Sequence, residues 1–343
     1  MTKLLEMKDS LIRIYAKFDS YINMGLKFIL ALVMLLVIKN GVGYMDRIGS
    51  LPISLVLALI CCLLPMSATL WVGALVVLLN LYALSIEVAL VGAALFLAIY
   101  LIYFRFCPKD NVVALLTPIL ARFGIPYVLP AVGGLLRPVY SALSIACGTV
   151  VYYFLDGVRQ NASTVLAPVS GATSSERLKV LVGLLADNKE MYAVLAALVL
   201  STLVIFFVRR LKIDYAWTIA LFAGLIIQIV VYVVVSLALS VAPDILMLII
   251  GSVLGGAIGT VLQFFCMNLD YERVERVQYE DDEYYYHVTA IPKRTVAAKE
   301  KQIKQFGNTG RMPRVSQTPT GDTTVLDRKA LAQELDIDED LLK

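Results

Sequence analysis

Long apolar runs separated by short polar interruptions fill the chain from residue 21 to residue 268. A bilayer hydrocarbon core is about 30 Å thick and takes helices of about 20 residues, so these runs predict membrane-spanning helices. Eight spans are expected, at about 22–39, 51–65, 67–86, 88–104, 139–155, 191–208, 216–241 and 245–268. Ahead of them, residues 1–20 carry a different rhythm. Leu4, Met7, Leu11, Tyr15, Phe18 and Ile22 recur at three- and four-residue spacing, with Lys3, Lys8, Arg13 and Lys17 between them. That pattern predicts an amphipathic helix lying at the membrane interface, its basic face toward anionic lipid.

One apolar stretch, 111–137, does not read as a plain span. It runs through Pro118, Gly124, Pro126, Pro130, Gly133 and Gly134 to Arg137-Pro138, with Arg122 on the way. Each proline removes a backbone donor and crowds the preceding turn. Irregular backbone at membrane depth is tolerated only beside protein or a water-filled cavity, and broken helices of this kind form binding sites in transporters. Arg122 and Arg137 are therefore candidate substrate-binding or gating residues, with Gly124, Pro126, Pro130, Gly133 and Gly134 shaping the backbone around them. The alternative is that both arginines snorkel to the interface and the prolines mark an elbow.

Loop charge gives the orientation. The basic N-terminal helix, Arg105 with Lys109, the Arg209-Arg210-Lys212 cluster and the basic tail share one face if 111–137 is re-entrant or broken and does not cross. By the positive-inside rule that face is cytoplasmic, so both termini are expected there, in a multi-pass protein of the cell membrane. Residues 156–190 then form an external loop, with a capping box at Thr173–Glu176 heading a short helix.

Residues 269–343 form a polar cytoplasmic tail. Its first part, Tyr271–Tyr279, reads as a continuation of the last span. An acidic tyrosine-rich run follows, in which Tyr284, Tyr285 and Tyr286 begin a strand-like segment that could add to a partner's sheet edge. Residues 306–326 are rich in Gly, Thr, Pro and Ser and read as disordered. The last segment places Leu331, Leu335 and Leu342 near one face of a short helix that could dock in a groove.

Composition supports the membrane assignment and narrows the chemistry. The 343 residues are 59% hydrophobic and 17% charged, with a mean hydropathy of +0.78; soluble domains have about 25% charged residues. His287, in the tail, is the single histidine, which excludes a histidine triad or a multi-histidine metal site. There is no GxxxxGK[ST] loop, and the five cysteines lack zinc-ligand spacing. No enzyme activity, cofactor, metal or nucleic-acid partner is expected. Gly251, Gly255 and Gly259 repeat every fourth residue and predict close helix packing, within the chain or between copies. Gln228 and Gln263 are expected to bond between helices, while Glu87 and Asp156 sit at external span ends.

Tyr271–Tyr286, followed by Ala290-Ile291-Pro292-Lys293, resembles the tail of a group of bacterial polytopic membrane proteins that carry the label ABC transporter permease. The resemblance implies a permease driven by a separate ATPase. The Glu-Ala-Ala signature of such importers is missing here, and only Leu129-Pro130 matches its Leu-Pro end.

The expected architecture is thus all-α, a bundle of about eight transmembrane helices with a broken element and a mostly extended tail. Two functions compete. One is a transport or permease-like protein that binds a small molecule or lipid-like substrate at the broken helix. The other is a membrane scaffold whose tail recruits envelope-assembly or division partners. The bilayer surrounds either, and a cytoplasmic protein or further subunits could bind it. A polar, water-accessible cavity beside Arg122 and Arg137 favours the first function, and a body packed solid with apolar side chains favours the second.

Overall fold

The computed structural model describes residues 2–45, 49–162, 182–183, 185–242, 244–266, 275–280 and 284–290. The described helices are α1 (Thr2–Lys17), α2 (Asp19–Val42), α3 (Leu51–Leu63), α4 (Met66–Leu84), α5 (Ile86–Phe106), α6 (Asn111–Arg122), α7 (Leu129–Leu136), α8 (Ser141–Gln160), α9 (Lys189–Val208), α10 (Ala216–Ala238) and α11 (Ile245–Cys266). A 3-10 turn, Pro126–Val128, links α6 to α7. Seven helices, α2, α4, α5, α8, α9, α10 and α11, are long and apolar enough to cross a membrane. Together they mark a multi-pass membrane protein. Their outer faces carry large apolar side chains, such as Leu90, Leu97 and Leu101 on α5 and Ile226, Val230 and Val234 on α10, which water would not tolerate over so wide a surface.

α3, expected to span, has only 13 residues. At ~1.5 Å per residue it covers only about 20 Å, yet it carries the chain back from the end of α2 to its start, where Cys62 meets Met24. Pro65 stops it, because the residue before a proline is pushed out of the helical region: Leu64 is extended, at ψ 159°.

Hydrogen bonds between helix termini fix how the chain alternates. At one end of the bundle, Cys62 Sγ donates to Met24 O at 3.1 Å, and Asn111 Nδ2 donates to Ser67 Oγ at 2.9 Å. Tyr103 donates to Asn111 Oδ1 at 3.0 Å. Arg209 donates to the carbonyls of Leu135 and Arg137, Gln263 donates to Thr218 Oγ1 at 2.6 Å, and Lys8 Nζ donates to Phe264 O at 2.6 Å. These contacts gather the starts of α2, α4, α6 and α10 with the ends of α3, α5, α7, α9 and α11. At the other end, Met45 N meets Asn80 Oδ1 at 3.1 Å, Tyr153 meets Glu190 at 3.3 Å, and Asp244 N meets the Tyr232 hydroxyl at 3.3 Å. The chain therefore enters α2 and leaves α11 at the same end of the bundle. Arg105, Lys109, Arg137, Arg209, Arg210 and Lys212 lie at that end too.

Of three apolar cores among the described residues, a small one holds Leu135, Ile205 and Leu221 and the two larger ones share a wall. One fills α2 to α5 and takes Leu115 and Ile119 of α6 with Phe154 and Val158 of α8. The other lies among α8, α9 and α10 and takes Val113 of α6, Tyr127 and Leu129. α6 and α8 thus form the partition. Gly148 lets them meet: a Cβ there would sit 2.5 Å from Thr117 Cβ and 3.2 Å from the Ala114 carbonyl. Pro118 leaves that carbonyl without its helical donor.

Tyr271–Tyr279 was expected to continue the last helix, and its described part, from Glu275, does not. Glu275–Glu280 is a strand, β1, paired antiparallel with β2, Tyr285–Ala290, with Val277 opposite Val288. The expected capping box at Thr173–Glu176, the stretch 306–326 read as disordered and the expected terminal helix with Leu331 and Leu335 lie outside the described residues.

Candidate functional site

The broken element is a hairpin of two short helices whose open ends are tied together. Gly124, at φ +76°, ends α6. The Ile125 and Gly124 amides donate to the carbonyls of Leu120 and Ala121, each at 3.0 Å, which is the Schellman arrangement and needs the left-handed residue that glycine supplies. Pro126 then opens the 3-10 turn, and Pro130 sits in the first turn of α7, where a missing N–H costs nothing. At the other end of the hairpin, Asp110 precedes α6 and Arg137 follows α7, and Arg137 Nε lies 3.5 Å from Asp110 Oδ1. Asp110 is only 1% exposed. Burial pushes its carboxyl above the usual carboxylate range, opposed by the Ser144 hydroxyl and the Arg137 charge. Arg209, stacked on Phe206 and Trp217, holds the two α7 carbonyls.

The sequence-predicted site residues do not form one site. Arg122 and Arg137 sit at opposite ends of α6, about 18 Å apart along its axis at ~1.5 Å per residue. Gly133 and Gly134 are packing positions. A Cβ on Gly133 would meet Ile145 at 3.1 Å, and one on Gly134 would meet Ile205 at 2.6 Å. Gly251 and Gly255 press on Tyr127 and Val128, and Gly259 presses on Leu221 and Ala131. Glycine spacing on α11 thus seats the proline turn within the chain. Tyr284, Tyr285 and Tyr286 are exposed on the hairpin.

What lies beside Arg122 is a cavity of about 130 Å³ between α2, α4 and α5 on one side and α6 and α8 on the other. Its walls are apolar, formed by Met34, Val77, Phe96, Ile119 and Val151 among others, and Arg137 is not in them, so it is not the polar cavity beside both arginines that the transport reading expected. Tyr103 lines it near the basic end of the bundle. Arg122, Asp156 and Arg159 line it at the opposite end, where Tyr152 lies within electrostatic reach of all three. Arg122 is half-buried and Arg159 exposed. Asp156 accepts a hydrogen bond from Gln160 at 2.7 Å. The Arg122 side chain makes no hydrogen bond or ion pair with any other described residue. Two guanidinium groups and one carboxylate line this end of the cavity, and the Glu190 carboxylate also lies within electrostatic reach of Tyr152. Gly41 lines the cavity with open space where a Cβ would be.

Sequence reasoning missed Arg159 and read Asp156 as a solvated end. The available signal was their spacing of three on α8, which puts both on one helical face. Among the described residues no group of three His, Cys, Asp or Glu side chains could hold a metal. No protein-family model, curated protein or solved structure matches the chain.

Proposed function

We propose that this is a membrane protein that binds and moves a lipid-like molecule through the cavity alongside α6. The observation that carries the reading is the cavity's polarity: an apolar shaft within a bundle of spanning helices, with charge at one end only. Ligand pockets are concave and mostly apolar, with a few placed polar groups. The Asp110–Arg137 pair supports reading 111–137 as a re-entrant hairpin, since a segment whose ends meet has returned to its starting face. The clustered basic residues support placing that face, with both termini, in the cytoplasm. The permease-like tail is compatible with this reading, and a cytoplasmic partner could bind there.

The test is saturable binding of a fluorescent single-chain acyl probe to protein in lipid nanodiscs. Wild type is expected to bind and Gly41→Phe, which fills the shaft, to lose binding while keeping its melting temperature. Equal binding by both would refute the reading.

The exposed Val277, Tyr284, Tyr285 and Val288 on the hairpin favour a second reading, a scaffold that recruits partners through its tail. Deleting residues 270–343 separates the two: probe binding survives if the cavity is the functional part, whereas the cellular role is lost with binding intact if the tail is.

A further inference from the structure

We infer that the cavity's ligand is a single-chain amphiphile with an anionic head, carboxylate or phosphate, held at Arg122 and Arg159 with its chain directed toward Tyr103. This rests on the lipid-binding reading above and specifies its ligand. Three observations carry it.

First, shape. The lining runs from Ala114 to Arg122 on α6 and from Cys147 to Arg159 on α8, about 12 Å and about 18 Å at ~1.5 Å per residue. A volume of about 130 Å³ is close to that of a cavity that takes one benzene, about 150 Å³, so it admits a segment of one chain and not two side by side, and the rest of a longer chain lies in the bilayer.

Second, charge. Within this lining Asp156 is the one carboxylate against Arg122 and Arg159, and it already accepts from Gln160. Arg122 has its donors uncommitted among the described residues and is half-buried. An arginine at the edge of hydrocarbon is costly unless an anion meets it, and its planar fork suits carboxylate or phosphate oxygens. A cationic head would face two guanidinium groups, and a neutral head would leave them unmatched.

Third, direction. The charged end lies at the C-termini of α6 and α8, opposite the basic end of the bundle, and Arg159 is exposed. A head there stays near water while its chain lies among Val77, Phe96, Ile119 and Val151, as in a bilayer leaflet. The leaflet is the one facing away from the basic loops.

The experiment measures binding of dodecanoate, dodecanol, dodecylammonium and acetate to the full chain in nanodiscs of neutral lipid, by displacement of the acyl probe. Dodecanoate is expected to bind more tightly than dodecanol by about tenfold, the worth of one or two charge-assisted hydrogen bonds. Dodecylammonium and acetate should bind far more weakly. Arg122→Gln should shrink the dodecanoate-to-dodecanol ratio about tenfold, Arg122→Lys should retain most of it, and Asp156→Asn should enlarge it. If dodecanoate and dodecanol bind equally, or Arg122→Gln leaves the ratio unchanged, the anionic head is refuted while the lipid-binding reading stands. If acetate competes as well as dodecanoate, the site takes a free anion and the amphiphile is refuted. If no chain-bearing probe binds wild type, the lipid-binding reading itself fails.

Discussion

Arg137→Gln removes the cation that closes the α6–α7 hairpin and leaves a carboxylate buried beside the start of α6. At the observed 3.5 Å, two unit charges attract by about 5 kcal/mol at an effective dielectric of 20 and about 1 kcal/mol in water. Asp110 is 1% exposed, but the Arg137 side chain is 39% exposed, so solvent screens much of the attraction. The pair is then worth about 1–3 kcal/mol, and Arg137→Gln should cost about that much. For a body of this size each kcal/mol moves the melting temperature by about 2–4 °C, giving a drop of roughly 2–12 °C. The assay is thermal unfolding in detergent followed by tryptophan fluorescence. Trp217 is a useful reporter because it stacks on Arg209, which grips the end of α7. A double-mutant cycle isolates the pair: Asp110→Asn should recover most of the loss, since no buried charge then lacks a counterion. If the two substitutions are additive within ~0.5 kcal/mol, the hairpin is not held closed by this contact and the argument for its returning path fails.

Other consequences follow from the same geometry. Because Asp110 has its folded-state pKa raised by burial, the folded state holds that proton more tightly than the unfolded one. The resulting stabilisation is complete below the ordinary carboxylate value of about 4 and fades as pH rises through the raised value; melting curves across mildly acid pH should show this slope flattened in Asp110→Asn. Gly255→Ala sets a Cβ 3.0 Å from the Tyr127 carbonyl and 3.3 Å from Val128 Cα. It should cost about 1–3 kcal/mol by thermal melt without changing the oligomeric mass, whereas a loss of dimer at unchanged stability would assign that glycine face to self-association. Lys8→Met removes a donor to the Phe264 carbonyl and a cation over the Phe264 and Phe265 rings; α1 should loosen and become susceptible to limited trypsin digestion at Arg13.

The sequence made some features legible because their causes are local. Length and hydropathy act within one helix, so the runs at 22–39, 191–208 and 245–268 reappear as α2, α9 and α11. Proline and glycine act within a turn, so the break at Gly124-Ile125-Pro126 falls where the dihedral constraints require. Other features depend on tertiary contact. Asp110 and Arg137 face each other only because α6 and α7 fold back, and Lys8 meets Phe264 across 256 positions. The cavity joins five helices whose separate patterns carry no sign of it. β1 was misread for a nearer reason. Val274 and Val277 are spaced as on a helix, whereas Val277 and Tyr279 are spaced as on a strand, and pairing with Tyr285–Ala290 decides between them.

The central claim, that the chain enters and leaves 111–137 on one face of the membrane, is tested most directly by single-cysteine labelling in intact cells. Lys109→Cys and Lys212→Cys, in a chain whose five native cysteines are alanine, are treated with a membrane-impermeant maleimide, with Glu87→Cys as the outward control. The account predicts that Glu87→Cys labels from outside while both lysine positions label only after the membrane is opened. Labelling of Lys212→Cys from outside, with Lys109→Cys protected, would make 111–137 a single crossing and contradict the account.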